Sequence, residues 1–129
     1  MIAVFRRVYK LILANGSCPI DEFLSDVKVS STRARIVRRI DKVERGNFGD
    51  CREFDVIGEL KIDLGPGYRV YYCKQGNVIV ILLGGGDKKS QQADIEQAKK
   101  CWEAWKRQSA AGVDLPSWLG TDEDTEGKQ

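Results

Sequence analysis

Four cations, Lys61, Arg69, Lys88 and Lys89, are the residues of this chain best placed to do chemistry. Lys61 stands in Glu-Leu-Lys-Ile-Asp-Leu (59–64), where apolar and polar residues alternate as in a strand with one buried and one wet face. Arg69 opens the next strand, just past the tight turn Gly65-Pro66-Gly67. Pairing across that turn sets the strands side by side, so the two cations could share one sheet face, and a one-residue slip of register would separate them. Lys88 and Lys89 follow Gly84-Gly85-Gly86, a run that lets backbone approach a ligand closely. A cluster of cations suits one task well: binding a phosphodiester and stabilising the negative charge that grows at phosphorus in the transition state. Arginine offers a planar two-pronged donor to phosphate oxygens, and lysine supplies charge or, with a lowered pKa, protons. By strict alternation Tyr71 lies with Arg69, while Tyr68 and Tyr72 point the other way with Val70. A tyrosine there could stack on a base or act in proton transfer. The chain has no histidine, which excludes an imidazole base and removes the commonest zinc ligand.

Each of these residues also has a structural reading. Arg69 could pair with Glu59 or Asp63 across the strands, worth about 0.2–1 kcal/mol. Lys61 could be an exposed strand residue, Tyr68 and Tyr72 core, and Lys88 and Lys89 loop residues that aid solubility. Two motifs fall short. The segment 84–90, Gly-Gly-Gly-Asp-Lys-Lys-Ser, lacks the glycine spacing and the Gly-Lys-Ser/Thr ending of a phosphate loop, and no Gly-x-Ser-x-Gly occurs. Asp87, Asp94 and Glu96 could hold magnesium but read better as acids near a helix N-terminus. Cys18, Cys51, Cys73 and Cys101 form no CxxC and no Cys/His cluster, so neither a metal nor a cofactor is expected.

The elements that position these residues follow from local patterning. Residues 2–13, rich in Val, Ile, Tyr and Phe, read as a first strand closed by Asn15-Gly16. Pro19 marks the start of a short helix to about Val27. A firmer helix follows, with Ser30 and Ser31 as caps and Gly46 as its stop. Ile36, Val37, Ile40 and Val43 form its buried stripe, and Arg33, Arg35, Arg38, Arg39, Lys42 and Arg45 its other faces. Residues 47–50 form a loop. Strands at 59–64, 68–73 and 78–83, joined by Gly-Pro-Gly and by Gln75-Gly76-Asn77, predict an antiparallel meander. The last of them is apolar on both faces and so central, ending at the glycine run. A final helix spans about 90–107, with Ile95, Ala98, Trp102 and Trp105 on one face.

The length of 129 residues fits one domain with a self-sufficient core. Its net charge of +2 conceals a division. Residues 1–107 hold 20 basic and 14 acidic side chains, and residues 108–129 hold 1 and 5. A basic body favours a polyanionic partner, though a mixed solvated surface explains the charge equally well. The extension 108–129 is acidic and expected to be partly disordered, with Trp118 and Leu119 docking before its polar end. The longest apolar run, 78–83, is too short to cross a bilayer, and Arg6, Arg7 and Lys10 interrupt any leader-like segment. No membrane partner and a reduced, cytoplasmic location are the expectation.

Several stretches together resemble one family. They are Gly46-Asn47-Phe48-Gly49-Asp50, Gly58-Glu59-Leu60-Lys61-Ile62, Gly65-Pro66-Gly67-Tyr68-Arg69-Val70-Tyr71-Tyr72, and 82–95 with its Gly-Gly-Asp-Lys block. Residues 18–24, Cys-Pro-Ile-Asp-Glu-Phe-Leu, resemble the family's first helix. Over roughly residues 2–107 the chain is similar to the phage-derived addiction-module killer proteins, a branch of the RelE/HigB-like toxins of type II toxin–antitoxin systems. The resemblance implies an α+β fold: a small, mostly antiparallel sheet with two N-terminal helices on one side and a C-terminal helix. It also implies a metal-independent endoribonuclease that cuts mRNA, in many relatives at the ribosome, by attack of the ribose 2′-OH. Its partner would be a cognate antitoxin, often of helix-turn-helix type. Arg69 then matches the arginine that holds the scissile phosphate, and Lys88 the basic residue after the central strand. Lys61 stands where this branch usually carries arginine. Tyr71 substitutes for a tyrosine that some relatives place in the last helix. Lys89, Arg38 and Arg39 are the expected RNA contacts. The departure at Lys61 leaves a second possibility, a toxin-like module that binds antitoxin or nucleic acid without cutting.

Overall fold

Five strands and three helices build a three-layer α+β structure, described here for residues 6–76, 78–109 and 115–118 of a computed structural model. The order is β1 (Arg7–Lys10), α1 (Pro19–Asp26), α2 (Ser30–Glu44), β2 (Cys51–Phe54), β3 (Ile57–Ile62), β4 (Tyr68–Gln75), β5 (Ile79–Asp87), a 3₁₀ turn (Lys88–Ser90) and α3 (Gln91–Ser109). The sheet order is β1-β5-β4-β3-β2. Strands β3 to β5 form the expected antiparallel meander, and β2 extends it at the edge. β1 departs from that pattern and pairs parallel to β5, Arg7 opposite Ile79 through Lys10 opposite Leu82. β5 is therefore central along its first half, as its continuous apolar run predicts.

Side-chain alternation divides the core in two. One face, with Val8, Leu60, Ile62, Val70, Tyr72, Val80 and Leu82, is covered by Ile20, Phe23 and Leu24 of α1 and Ile36, Ile40 and Val43 of α2. The opposite face, with Ile57, Tyr71, Cys73, Ile81 and Leu83, is covered by Ile95, Ala98, Cys101 and Trp102 of α3. Burial of both faces, not propensity alone, fixes the register, because a one-residue slip would turn each apolar set outward. A bulge between Tyr71 and Tyr72 places Tyr71 opposite Gly84 and Tyr72 opposite Leu82, leaving Leu83 as the extra residue.

Several boundaries differ from the sequence reading. The first strand is confined to Arg7–Lys10 among the described residues; residues 2–5 lie outside them, as does Asn77 of the third turn. α2 begins at Ser30 with Val29 as its N-cap and no side-chain cap, so neither serine plays that part. Its C-terminus does run into Gly46, whose φ of 86° is the left-handed conformation that favours glycine. Pro19 is the first residue of α1. β2 has no alternating apolar signature, since its pattern is Cys-Arg-Glu-Phe at a sheet edge, and the sequence reading passes over it. The glycines do not end the sheet: β5 continues through them to Asp87, held by β4.

The segment 115–118 returns to the sheet. Lys10 N donates to Pro116 O at 2.9 Å, Trp118 N donates to Val8 O at 2.8 Å, and Tyr9 and Ser117 form an antiparallel bridge. Trp118 is buried in the α1–α2 core, and its Nε1 donates to Asp41 Oδ1 on α2 at 2.8 Å. The predicted docking of Trp118 thus has a physical basis: the segment pairs with the outer edge of β1, which would otherwise expose unpaired backbone groups. Leu119 and the acidic end lie outside the described residues.

Candidate functional site

Lys61 and Arg69 are direct cross-strand partners in the β3–β4 ladder, so they share the α3-side face of the sheet. Arg69 also sits opposite Gly86 of β5, where no side chain competes for the space. Lys88 arrives from the turn after β5. A Cβ placed on Gly67 would lie 3.5 Å from Arg69 Nη1 and 3.6 Å from Lys88 Cβ, so both groups border the same glycine of the β3–β4 turn. Gly67 has φ 83°, so the turn requires a glycine there for its backbone as well. Three cations from three elements therefore converge at one end of the sheet. Lys61 is half-buried, and Lys88 and Lys89 are exposed and form no ion pair among the described residues.

Glu59, one of the two acids named as possible partners of Arg69, proves to be the centre of the cluster. Alternation alone puts Glu59, Lys61 and Asp63 on a wet face, yet Glu59 is 0% exposed because α3 lies over it. Its carboxylate gathers three donors. Gln91 Nε2 at the start of α3 donates to Oε2 at 2.8 Å, Arg52 Nε of β2 donates to Oε1 at 3.3 Å, and Arg69 Nε forms an ion pair with Oε2 at 3.5 Å without a hydrogen bond. Of the two acids considered as partners for Arg69, Glu59 takes the place. The Arg69 side chain is about nine-tenths buried. The second arginine of the node, Arg52, is placed opposite Glu59 by the β2–β3 pairing and is visible only once β2 is recognised as a strand.

Tyr71 lies on the same face as Arg69 and is 1% exposed. Its hydroxyl makes no hydrogen bond. Burial first, then the nearby carboxylates of Glu59 and Asp94, raise its pKa far above that of an ordinary phenol. Such a group stays protonated and can donate a hydrogen bond; it is poorly suited to the acid/base exchange expected of it. Tyr72 points into the opposite core, where its hydroxyl donates to Glu53 Oε2 at 3.3 Å.

Arg38 and Arg39 are not part of this cluster. They belong to α2, across the sheet from Arg69. Arg38 is exposed, whereas Arg39 is half-buried and its Nη2 donates to the carbonyls of Phe48 and Asp50, the latter at 3.1 Å. Arg39 thus braces the 47–50 loop. The acids near α3 have local duties too: Asp87 caps the 3₁₀ turn by accepting from Ser90 N at 3.1 Å, and Asp94 accepts from the Ser90 hydroxyl. No group of three or more potential ligands is arranged for a metal among the described residues. All four cysteines are free thiols.

Over 80 residues the chain is 51% identical to an uncharacterized protein of Haemophilus influenzae, a stretch covering 61% of this chain and 81% of that protein. The chain belongs to the same family as that protein. No family model matches the chain, and no solved structure does. No helix among the described residues is long and apolar enough to cross a membrane.

Proposed function

We propose that this protein is a RelE/HigB-like toxin of a type II toxin–antitoxin system, acting in the cytoplasm as a metal-independent endoribonuclease on mRNA, in association with the ribosome. The observation that carries the reading is the convergence of Lys61, Arg69 and Lys88 around the Gly65-Pro66-Gly67 turn. Glu59 balances Arg69, while Lys61 and Lys88 have no carboxylate partner among the described residues, and a phosphodiester would supply the anion they lack. Arg69, oriented through its Nε by Glu59, would present its terminal nitrogens to a phosphate oxygen. The 2′-oxygen of the preceding ribose would attack phosphorus as it loses its proton to solvent water. The bond to the 5′-oxygen would break, leaving a 2′,3′-cyclic phosphate and a 5′-hydroxyl. The exposed ammonium of Lys88, or the half-buried one of Lys61, would supply the proton to the departing oxygen. Its cognate antitoxin, expected to be a small helix-turn-helix protein, would block the same cations.

Induced expression tests this. Wild type should halt growth and cleave mRNA, and the pure protein should cut with or without a chelator. Lys88→Ala and Lys61→Ala, both at positions that support no core packing, should relieve the arrest while remaining folded. A harmless wild type that leaves mRNA intact with and without ribosomes would reject the enzyme. One observation favours that second reading, a binding module that associates with antitoxin or nucleic acid without cutting: the Arg69 side chain is only 10% exposed and already engaged by Glu59.

A further inference from the structure

A cleft of about 640 Å³ opens between α1 and α3, bordering the basic cluster at Gly86, the cross-strand neighbour of Arg69, and at Asp87, which precedes Lys88. Its floor is the half of β5 that β1 does not reach. The parallel ladder stops at Leu82, whose carbonyl takes its last bond from Leu11 N, and from Leu83 to Asp87 the outer edge of β5 has no strand beside it among the described residues. That floor is bare backbone for a reason. A side chain on Gly85 would strike Phe23 of α1, and one on Gly86 would strike Asp94 and Ser90 on the α3 side, so the two helices form close walls around an open strand edge.

Two further features of the cleft define what would fill it. Four carboxylates, Glu22, Asp26, Asp87 and Asp94, line it against one cation, Lys28. The buried Tyr71 also lines it, its hydroxyl beside the carboxylates of Glu59 and Asp94. An open strand edge asks for a partner with alternating N–H and C=O groups. The acidic walls ask for cations, and they repel the phosphates of RNA.

We propose that this groove binds an extended, lysine- and arginine-rich peptide segment of a partner protein, which adds to β5 as a further strand. Leu83 and Gly84 are buried, so the accessible part of this edge is Gly85 to Asp87, about 10 Å of strand. Backbone pairing would supply affinity, and alternate basic side chains would meet the walls formed by α1 and α3. This inference does not depend on the nuclease reading.

The test is selection of random twelve-residue peptides on the immobilised full-length chain. The selected peptide is then titrated into isotope-labelled protein, followed by amide spectra. Enriched peptides should carry excess Lys and Arg, and the amides of Gly85, Gly86 and Asp87 should shift. Binding should weaken about tenfold in the double variant Glu22→Gln, Asp26→Asn. Both positions are exposed on α1, and well-dispersed spectra would show that the variant is folded. The proposal is overturned if no peptide is enriched, if those enriched lack a basic excess, if the shifts fall elsewhere, or if the double variant binds unchanged. It is also overturned if a twelve-nucleotide single-stranded RNA moves the same three amides while the peptides do not.

Discussion

Replacing Glu59 by alanine should destabilise the protein more than removing either arginine that it holds. Glu59 is 0% exposed and the Arg69 side chain 10%. Without the carboxylate, Arg69 keeps its charge beneath α3 with Lys61 directly opposite, and leaving one member of a buried pair uncompensated costs about 3–5 kcal/mol. Arg69→Ala is milder, because Gln91 at 2.8 Å and Arg52 at 3.3 Å still serve the carboxylate; the loss of one charged contact is about 1.5–3 kcal/mol. Arg52 is 54% exposed, so Arg52→Ala should cost under about 1 kcal/mol. Urea titration followed by tryptophan fluorescence reads all three, since Trp102 and Trp118 are buried in opposite cores. With a slope of about 2 kcal/mol per molar, the midpoint should drop by about 2 M for Glu59→Ala and by less than about 0.5 M for Arg52→Ala. If Glu59→Ala proves no more damaging than Arg52→Ala, the carboxylate is not the anchor of this node, and the orientation of Arg69 must have another source.

Other outcomes follow from the same geometry. Trp118→Ala should cost about 3–5 kcal/mol, whereas Trp118→Phe, losing mainly the bond to Asp41, should cost about 1–2 kcal/mol; denaturation midpoints of the two variants check the ordering. Lys74, by its hydrogen bond, holds the Glu53 carboxyl below its ordinary value of 4.5, against an opposing effect of burial. A lowered folded-state value means that this stabilisation is complete above pH 4.5 and fades as pH falls through the folded-state value. The stability gap between wild type and Glu53→Gln, under about 1 kcal/mol at so exposed a site, should therefore be present at pH 6 and vanish in acid. Burial pushes the Cys73 thiol up to about 12, so native protein treated with iodoacetamide at pH 8 should resist alkylation there, while the half-exposed Cys51 reacts first; early modification of Cys73 in mass spectra would contradict the packing.

The meander was legible because its signals are local. Gly65-Pro66-Gly67 fixes one turn, and the alternation on either side of it fixes which residues face each way, so the Lys61–Arg69 pairing could be read directly. The parallel placement of β1 was not legible, because nothing near residues 7–10 names a partner in the other half of the chain. β2 escaped for a different reason: an edge strand of Cys-Arg-Glu-Phe has no apolar face to betray it. The pairing of Glu59 with Arg69 was legible but its burial was not, because alternation tells which side a residue faces and not whether that side is later covered. The same limit applies to Arg39, whose charge is plain in the sequence but whose use as a loop brace depends on where the 47–50 backbone turns.

The two ends of the described chain also set an order of assembly. Strands β2 to β5 can zip together from turn to turn, each next to its neighbour in sequence. β1 must come from far away to reach β5, and the 115–118 segment must then find β1. Closing such long loops is entropically slow. A refolding molecule should therefore pass through a stage in which the apolar flank of β5, from Ile79 to Leu82, is still bare, and it is then that two half-made copies are most prone to stick together.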